Sequence, residues 1–398
     1  MAKKTSKKTP GKKTARKKAP ARRGTAAADA AARPEAGRAS TGLTIGIDAV
    51  LGQEHAVGVL DAAVSSGRLH HAWLFHGPEG VGKFTTALAF AAVILDPTSG
   101  PDLSGRVRPD PDSEVQRLLR GGSHPDLQVV RKELAAFSRE DRVRRSMQTS
   151  ISIEVVREFL VEPASRTRVV QGESLASKVF IVDEAHLLGR EAQDTMLKTL
   201  EEPGPGVVLI LVTSSEDQLR PTIRSRCQRV GFRPLDNAAL TRWMEQSGLD
   251  MAGIDTEWAV SFADGSPGVL TELVSGGLGA WHAELRGTMD RLADGVSVID
   301  AGKTLSRLVD SAAAVAVEGK AHASKAVANR AAASRMFRLL GEGFRTAMRS
   351  SAAVGRVEDA ERLTACITAC QEAERQLDSN VALGPVFENL AARCGVER

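Results

Sequence analysis

A glycine-rich loop that ends in a lysine is the feature of this sequence that most restricts its fold. The loop lies between an apolar segment, Ala72 to His76, and a segment with helical periodicity, Lys83 to about Ile94. Strand, glycine loop and helix in this order form a turn whose backbone N–H groups wrap a phosphate chain, which the lysine neutralises. The residues predicted to bind nucleotide phosphates are Gly77, Gly80, Gly82 and Lys83.

Further apolar segments predict an α/β fold. Residues Lys178–Val182 and Val207–Val212 are runs of the kind buried between helices in a parallel sheet. Their alternation with helical segments predicts a doubly wound sheet. After Pro234 only helical periodicity remains, so the last part of the chain is expected to be all-helical.

Polar residues at strand ends add candidate catalytic groups. Asp183 and Glu184 directly follow one apolar strand, where an Asp can hold Mg²⁺ through water and a Glu can polarise the attacking water. Thr213 ends the next strand, and Arg226 follows it. This order is that of oligomeric ATPases in which an arginine reaches the γ-phosphate of a neighbouring subunit. Acidic strand caps and a solvated surface arginine are the alternatives.

One position of the loop argues against metal-assisted hydrolysis. Phosphate loops of this type continue with Ser or Thr, whose hydroxyl ligates Mg²⁺, but this chain has Phe84. Thr85 and Thr86 come one and two places later on the helix, and each residue turns by about 100°. Thr85 therefore cannot replace the missing hydroxyl without a change of register. ATP or ADP could therefore be bound without being hydrolysed.

The N-terminal segment is strongly basic. Its first 40 residues contain 13 Lys and Arg against Asp29 and Glu35. Residues 1–41 have almost no large apolar side chain and are predicted to be a disordered tail. Such a tail either binds nucleic acid through counterion release or serves only as a solvated extension.

The cysteine content and the hydropathy of the chain indicate the cellular compartment in which it is expected. The chain has four Cys at wide or helical spacing, which does not form a disulfide framework. Cys366 and Cys370 share a helical face but no further Cys or His lies at ligand spacing, so no metal and no zinc are expected. No apolar run is long enough to span a bilayer. We expect a cytoplasmic protein with no membrane partner.

Several short segments resemble the bacterial clamp loader, an AAA+ family, over residues 42 to about 235. The segments that carry this resemblance are Gly52–Glu54, His71–Phe75, Gly77–Lys83, Ser123–Leu127, Leu197–Pro203 and Thr222–Cys227. The closing segment, Asn380–Leu383 and Glu388–Leu390, is similar to the C-terminal collar of delta-prime subunits of DNA polymerase III.

The resemblance implies three folded domains behind the tail. They would be an AAA+ nucleotide-binding domain at 42–233, a small helical lid at 234–277 and a helical collar for oligomerisation at 278–398. It further implies assembly with gamma/tau and delta subunits, and through them contact with the sliding clamp and primed DNA. By motif, Arg226 would be the arginine finger that acts in trans and Thr213 the sensor-1 residue.

Departures from the family pattern favour one role within it. Phe84 replaces the metal-binding hydroxyl, Gly268 stands where active motors carry the sensor-2 arginine, and the zinc-binding cysteines are missing before Ser123. Groups that act on the chain's own nucleotide are lost while Arg226 remains, which is the delta-prime pattern. The alternatives are an ATP-hydrolysing motor of gamma/tau type, or a DNA-binding AAA+ protein that acts through its basic tail.

Overall fold

The computed structural model describes residues 1, 46–103, 105–145, 149–170, 172–318, 325–377 and 382–395. The basic tail expected at 1–41, apart from Met1, and the Asn380–Val381 part of the collar motif lie outside these residues. In the described part of the chain, no helix combines the length and the apolar character needed to cross a membrane.

Five parallel strands form the central sheet, in the order β4-β5-β6-β1-β7. A separate pair of two-residue strands, β2 and β3, is antiparallel. The strand bounds are β1 Ala72–His76, β2 Gly100–Pro101, β3 Val107–Arg108, β4 Leu127–Val130, β5 Lys178–Val182, β6 Val207–Thr213 and β7 Gln228–Gly231. Because every strand of the sheet runs the same way, the carboxyl ends of all five lie at one edge.

Helices connect these strands and form all the regular secondary structure of the described chain after β7, a part called here the helical half. Helices α5 and α6 are joined by a π-helical segment, Arg157–Val161. The helix bounds are α1 Glu54–Ser65, α2 Lys83–Leu95, α3 Glu114–Arg120, α4 Asp141–Arg144, α5 Ile153–Val156, α6 Glu162–Ala164, α7 Arg190–Glu201, α8 Pro221–Arg224, α9 Asn237–Ser247, α10 Thr256–Ala263, α11 Pro267–Ser275, α12 Leu278–Ala293, α13 Ala301–Val317, α14 Lys325–Ala353, α15 Val357–Leu377 and α16 Leu383–Cys394.

Alternate side chains of each strand enter two different cores. Trp73 and Phe75 of β1 pack with α1 and α2 on one face, whereas Leu74 of β1 packs with α5 and α7 on the other. Strands β5 and β6 are buried along their whole length. Burial on both faces explains why their sequences are continuous apolar runs and confirms the predicted doubly wound α/β sheet.

A single apolar cluster runs through the helical half, from Leu235 to Cys394. It joins the helices of the predicted lid to those of the predicted collar, and the boundary between 277 and 278 stays a prediction. Cys366 and Cys370 are buried in this cluster beside Cys394. Burial raises the pKa of the Cys370 thiol to about 12.

The start of α11 packs backbone to backbone against the glycine loop. The Gly268 N–H donates to the Gly80 carbonyl at 2.8 Å. A Cβ at Gly268 would lie 2.6 Å from the Gly80 Cα, and Gly80 itself has a left-handed φ of 73°. Glycine at both positions allows a close approach that a side chain would prevent.

This contact predicts opposite effects for two glycine substitutions. Gly268→Ala should lower the free energy of unfolding by about 1–3 kcal/mol, because the added methyl meets backbone. Gly287→Ala is the matched control, since Gly287 lies within α12 and, apart from the adjacent backbone of that helix, its methyl would meet no described atom within 4 Å. It should stabilise the chain by about 0.5–1 kcal/mol. Urea unfolding measures both, and equal stability of the two variants would contradict the close packing.

Candidate nucleotide site

The glycine loop follows β1 and leads directly into α2. Gly77, Gly80 and Gly82 all have left-handed φ values, of 140°, 73° and 95°. The Lys83 side chain is buried, and its Nζ donates to the carbonyls of Gly77, at 2.7 Å, and Pro78. Burial lowers the pKa of Lys83 to about 8. The Lys83 ammonium group is thus hydrogen-bonded to the backbone of its own loop.

Three successive carbonyls of the loop are held by residues from outside it. Ser266 Oγ donates to the carbonyl of Glu79 at 2.9 Å, and the Gly268 N–H donates to that of Gly80. Gln53 Nε2 donates to the Val81 carbonyl at 3.2 Å and to the Arg233 carbonyl at 2.7 Å. The conformation of the loop is therefore coupled to the helical half through Ser266 and Gly268.

Asp183 and Glu184 lie at the end of β5, as predicted, and each is paired with a cation. Two nitrogens of Arg131 contact Asp183 Oδ2, Nε at 3.0 Å and Nη2 at 2.8 Å. Lys132 Nζ lies 2.9 Å from Glu184 Oε2. Burial raises the pKa of Asp183, and the Arg131 charge opposes that rise. Glu184 adopts a left-handed φ of 51°, a strained conformation that is common at functional sites.

Phe84 packs into the core at the start of α2 and presents its ring to Arg131. The Arg131 Cζ lies 4.3 Å from the centre of that ring, a cation–π contact. Thr86 is fully buried and donates its hydroxyl to the Gly82 carbonyl at 2.9 Å. That hydroxyl is engaged by the helix and does not replace the one that Phe84 lacks.

Thr213 lies at the carboxyl end of β6, between β5 and β1. Its hydroxyl contacts His186 Nδ1 at 3.4 Å and accepts from the Ser215 N–H at 3.1 Å. Burial lowers the pKa of His186. The structure thus brings the loop, Lys83, the acidic pair and Thr213 to one edge of the sheet, as their positions at strand ends predict.

Arg226 lies at the opposite edge, just before β7. Its Nη2 is 2.6 Å from Glu201 Oε1, and its Nη1 donates to the Thr222 carbonyl at 2.8 Å. It lines a shallow depression with His70, His71 and Glu201. Strand β1, which joins this edge to the glycine loop, has five residues, or about 16 Å at about 3.3 Å per residue. Arg226 is therefore remote from the phosphate loop of its own chain.

The sequence does not point to three residues of the site. Arg131 and Lys132 follow β4, a short strand whose place beside β5 is visible only in the fold. Gln53 precedes α1 and stands out in sequence only as part of a short family motif. The signal that could have revealed Arg131 and Lys132 is the one that reveals Asp183: polar residues directly after an apolar run.

The lowered pKa of Lys83 predicts a pH-dependent stability. Lys83 loses its proton near pH 8 in the folded protein but near its ordinary value of 10.5 when unfolded. Between these values the unfolded state binds more protons, so Lys83 makes the free energy of unfolding rise with pH. Relative to Lys83→Met, the wild type should gain up to about 3 kcal/mol across this window. Urea unfolding at a series of pH values tests this, and a constant difference would contradict it.

Comparison with known proteins gives consistent matches over this part of the chain. Residues 52–236 match the family model described as "DNA polymerase III, delta subunit". The DNA polymerase III subunit gamma/tau of Mycobacterium tuberculosis is 31% identical over 235 residues, which cover 57% of this chain and 37% of that protein. DNA polymerase III subunit tau of Bacillus subtilis is 28% identical over 229 residues, which cover 58% of this chain and 35% of that protein. The chain thus spans about a third of the length of these relatives.

The solved structures that match this chain are more distant in sequence. A DNA polymerase III gamma subunit-related protein from Thermotoga maritima is 14% identical, with a TM-score of 0.40 over 84% of this chain and 98% of the other. Thermotoga maritima RuvB is 17% identical, with a TM-score of 0.34 over 58% of this chain and 63% of the other. The fold assignment rests on the sheet order and the glycine loop. Over residues 52–236 the sequence is similar to the DNA polymerase III delta and gamma/tau subunits.

Proposed function

We propose that this chain is a delta-prime-type subunit of the DNA polymerase III clamp loader. It would assemble with gamma/tau and delta subunits to load the sliding clamp onto primed DNA, with residues 278–398 as the collar that joins the ring. The observation that carries the proposal is the position of Arg226. An arginine at the edge opposite its own phosphate loop is suited to complete the site of a neighbouring subunit.

The chain's own site supports the same assignment. Phe84 provides no oxygen ligand, and Asp183 is engaged by Arg131. Gly268 occupies the place expected for a sensor-2 arginine and is in backbone contact with the loop, which leaves no room there for a side chain. We therefore propose that Gly77, Gly80, Gly82, Lys83, Asp183, Glu184 and Thr213 form a degenerate nucleotide site.

The alternative is a motor of gamma/tau type that hydrolyses ATP itself. The names of the relatives favour it, because they are gamma, tau or gamma/tau subunits. ATP turnover by the isolated chain separates the two proposals. The delta-prime role predicts no turnover above that of the Lys83→Ala variant, whereas turnover that this substitution abolishes would establish a motor.

Arg226→Ala should weaken hydrolysis by the assembled loader. An arginine finger contributes about 10³-fold or more to the rate of the site that it serves. The rate of DNA-stimulated phosphate release by the reconstituted complex should fall by at least the part that one ATPase site contributes, while assembly of the complex is unchanged. Arg220→Ala is the matched control, because Arg220 lies on the same connection and forms a surface ion pair with Asp194. Equal rates for both variants would refute the trans assignment.

The ion pair with Glu201 predicts a gain in the same assay. To contact a neighbour's phosphate, the Arg226 guanidinium must leave Glu201, and an exposed pair of this kind is worth about 0.2–1 kcal/mol. Glu201→Gln should therefore raise the affinity of the loader for this subunit, or the ATP turnover of the loader, by up to about fivefold. Glu202→Gln, at the exposed neighbouring residue, should have no effect. A loss of turnover with Glu201→Gln would mean that Glu201 positions the finger.

A further inference from the structure

The two cations that follow β4 have no part in the family resemblance, yet they contact the acidic pair directly. Strand β4 pairs with β5 in parallel register, with Val130 opposite Val182. The next residues, Arg131 and Asp183, therefore emerge side by side at the carboxyl edge of the sheet. Their contact joins parts of the chain that are 52 residues apart in sequence.

The Arg131 side chain is held on two sides. Its Nε and Nη2 both contact Asp183 Oδ2, and its guanidinium lies over the ring of Phe84. A planar guanidinium suits this combination, because it can pair with a carboxylate and stack on an aromatic ring at once. The Arg131 side chain is 37% exposed and that of Asp183 is 18% exposed, so the pair is partly shielded from water.

These residues do not fit the divalent cation that phosphate loops of this type bind. Mg²⁺ requires oxygen ligands in near-octahedral geometry at about 2.0–2.1 Å. Phe84 provides none, and a metal bound through Asp183 would have to displace or repel the Arg131 guanidinium. Phe84 thus has two effects that act together, because it removes a ligand and provides the surface on which Arg131 stacks.

We propose that Arg131 takes the place of the divalent cation at this site, so that Asp183 binds no metal with or without nucleotide. The positive charge beside the phosphate loop comes from Arg131 and Lys83, and Phe84 fixes the guanidinium in position. This inference deepens the proposed degenerate site and rests on that part of the proposed function. It does not depend on Arg226, so either can fail without the other.

Binding of Mn²⁺ tests the proposal without any measurement of activity. The full-length chain is titrated with Mn²⁺ without nucleotide and again with ATP, and a titration of ATP alone is subtracted because ATP itself binds Mn²⁺. The electron paramagnetic resonance signal of free Mn²⁺ then counts the ions that the protein binds. The wild type should bind no more Mn²⁺ than Asp183→Asn does. The double variant Phe84→Thr/Arg131→Ala should gain one Mn²⁺ site, whose affinity is at least tenfold higher than any Mn²⁺ binding by the wild type. Adding Asp183→Asn to the double variant should remove that site.

The controls separate this effect from unfolding and from a general loss of charge. Lys132→Ala removes the neighbouring cation, paired with Glu184, and should gain no site. Arg131→Ala alone, with folding checked by circular dichroism, should gain a weaker site than the double variant. The proposal is overturned if wild-type protein binds a Mn²⁺ that Asp183→Asn removes. It is equally overturned if neither Arg131 variant gains a site.

Discussion

Parallel pairing of the five strands decides where every candidate group lies. Because β4, β5, β6, β1 and β7 run in one direction, residues that follow a strand collect at one edge and residues that precede a strand collect at the other. Asp183 and Lys83 belong to the first group and Arg226 to the second. Within one chain, Arg226 and the glycine loop therefore lie at opposite edges of the sheet, about 16 Å apart along β1.

Sequence patterns predict the elements whose burial is complete and miss those whose burial is partial. The bounds of β1 and β5 agree with the predicted segments, and β6 is one residue longer, ending at Thr213. Strands β4 and β7 have four residues each, and β7 carries two exposed side chains. Such segments have little periodicity of their own and become strands by pairing with a neighbour that sequence order does not reveal.

The same limit applies to the site. Asp183, Glu184 and Thr213 are predictable because each stands at the end of a strand that the sequence shows clearly. The pairing of Arg131 with Asp183 depends on the adjacency of β4 and β5, and the stacking on Phe84 depends on where α2 begins. In the sequence, Phe84 is visible only as the loss of a ligand. That its ring also stacks against the Arg131 guanidinium becomes visible only in the folded structure.

The contact between Gly80 and Gly268 has a mechanical consequence. The loop is joined to the first turn of α11 by a backbone hydrogen bond, beside the one that the Ser266 hydroxyl donates to Glu79. Helix α11 in turn belongs to an apolar cluster that continues as far as Cys394. The backbone of the loop is thus in direct contact with the packed core of the helices that follow it. A substitution that changes the loop backbone would therefore also disturb the packing of α11.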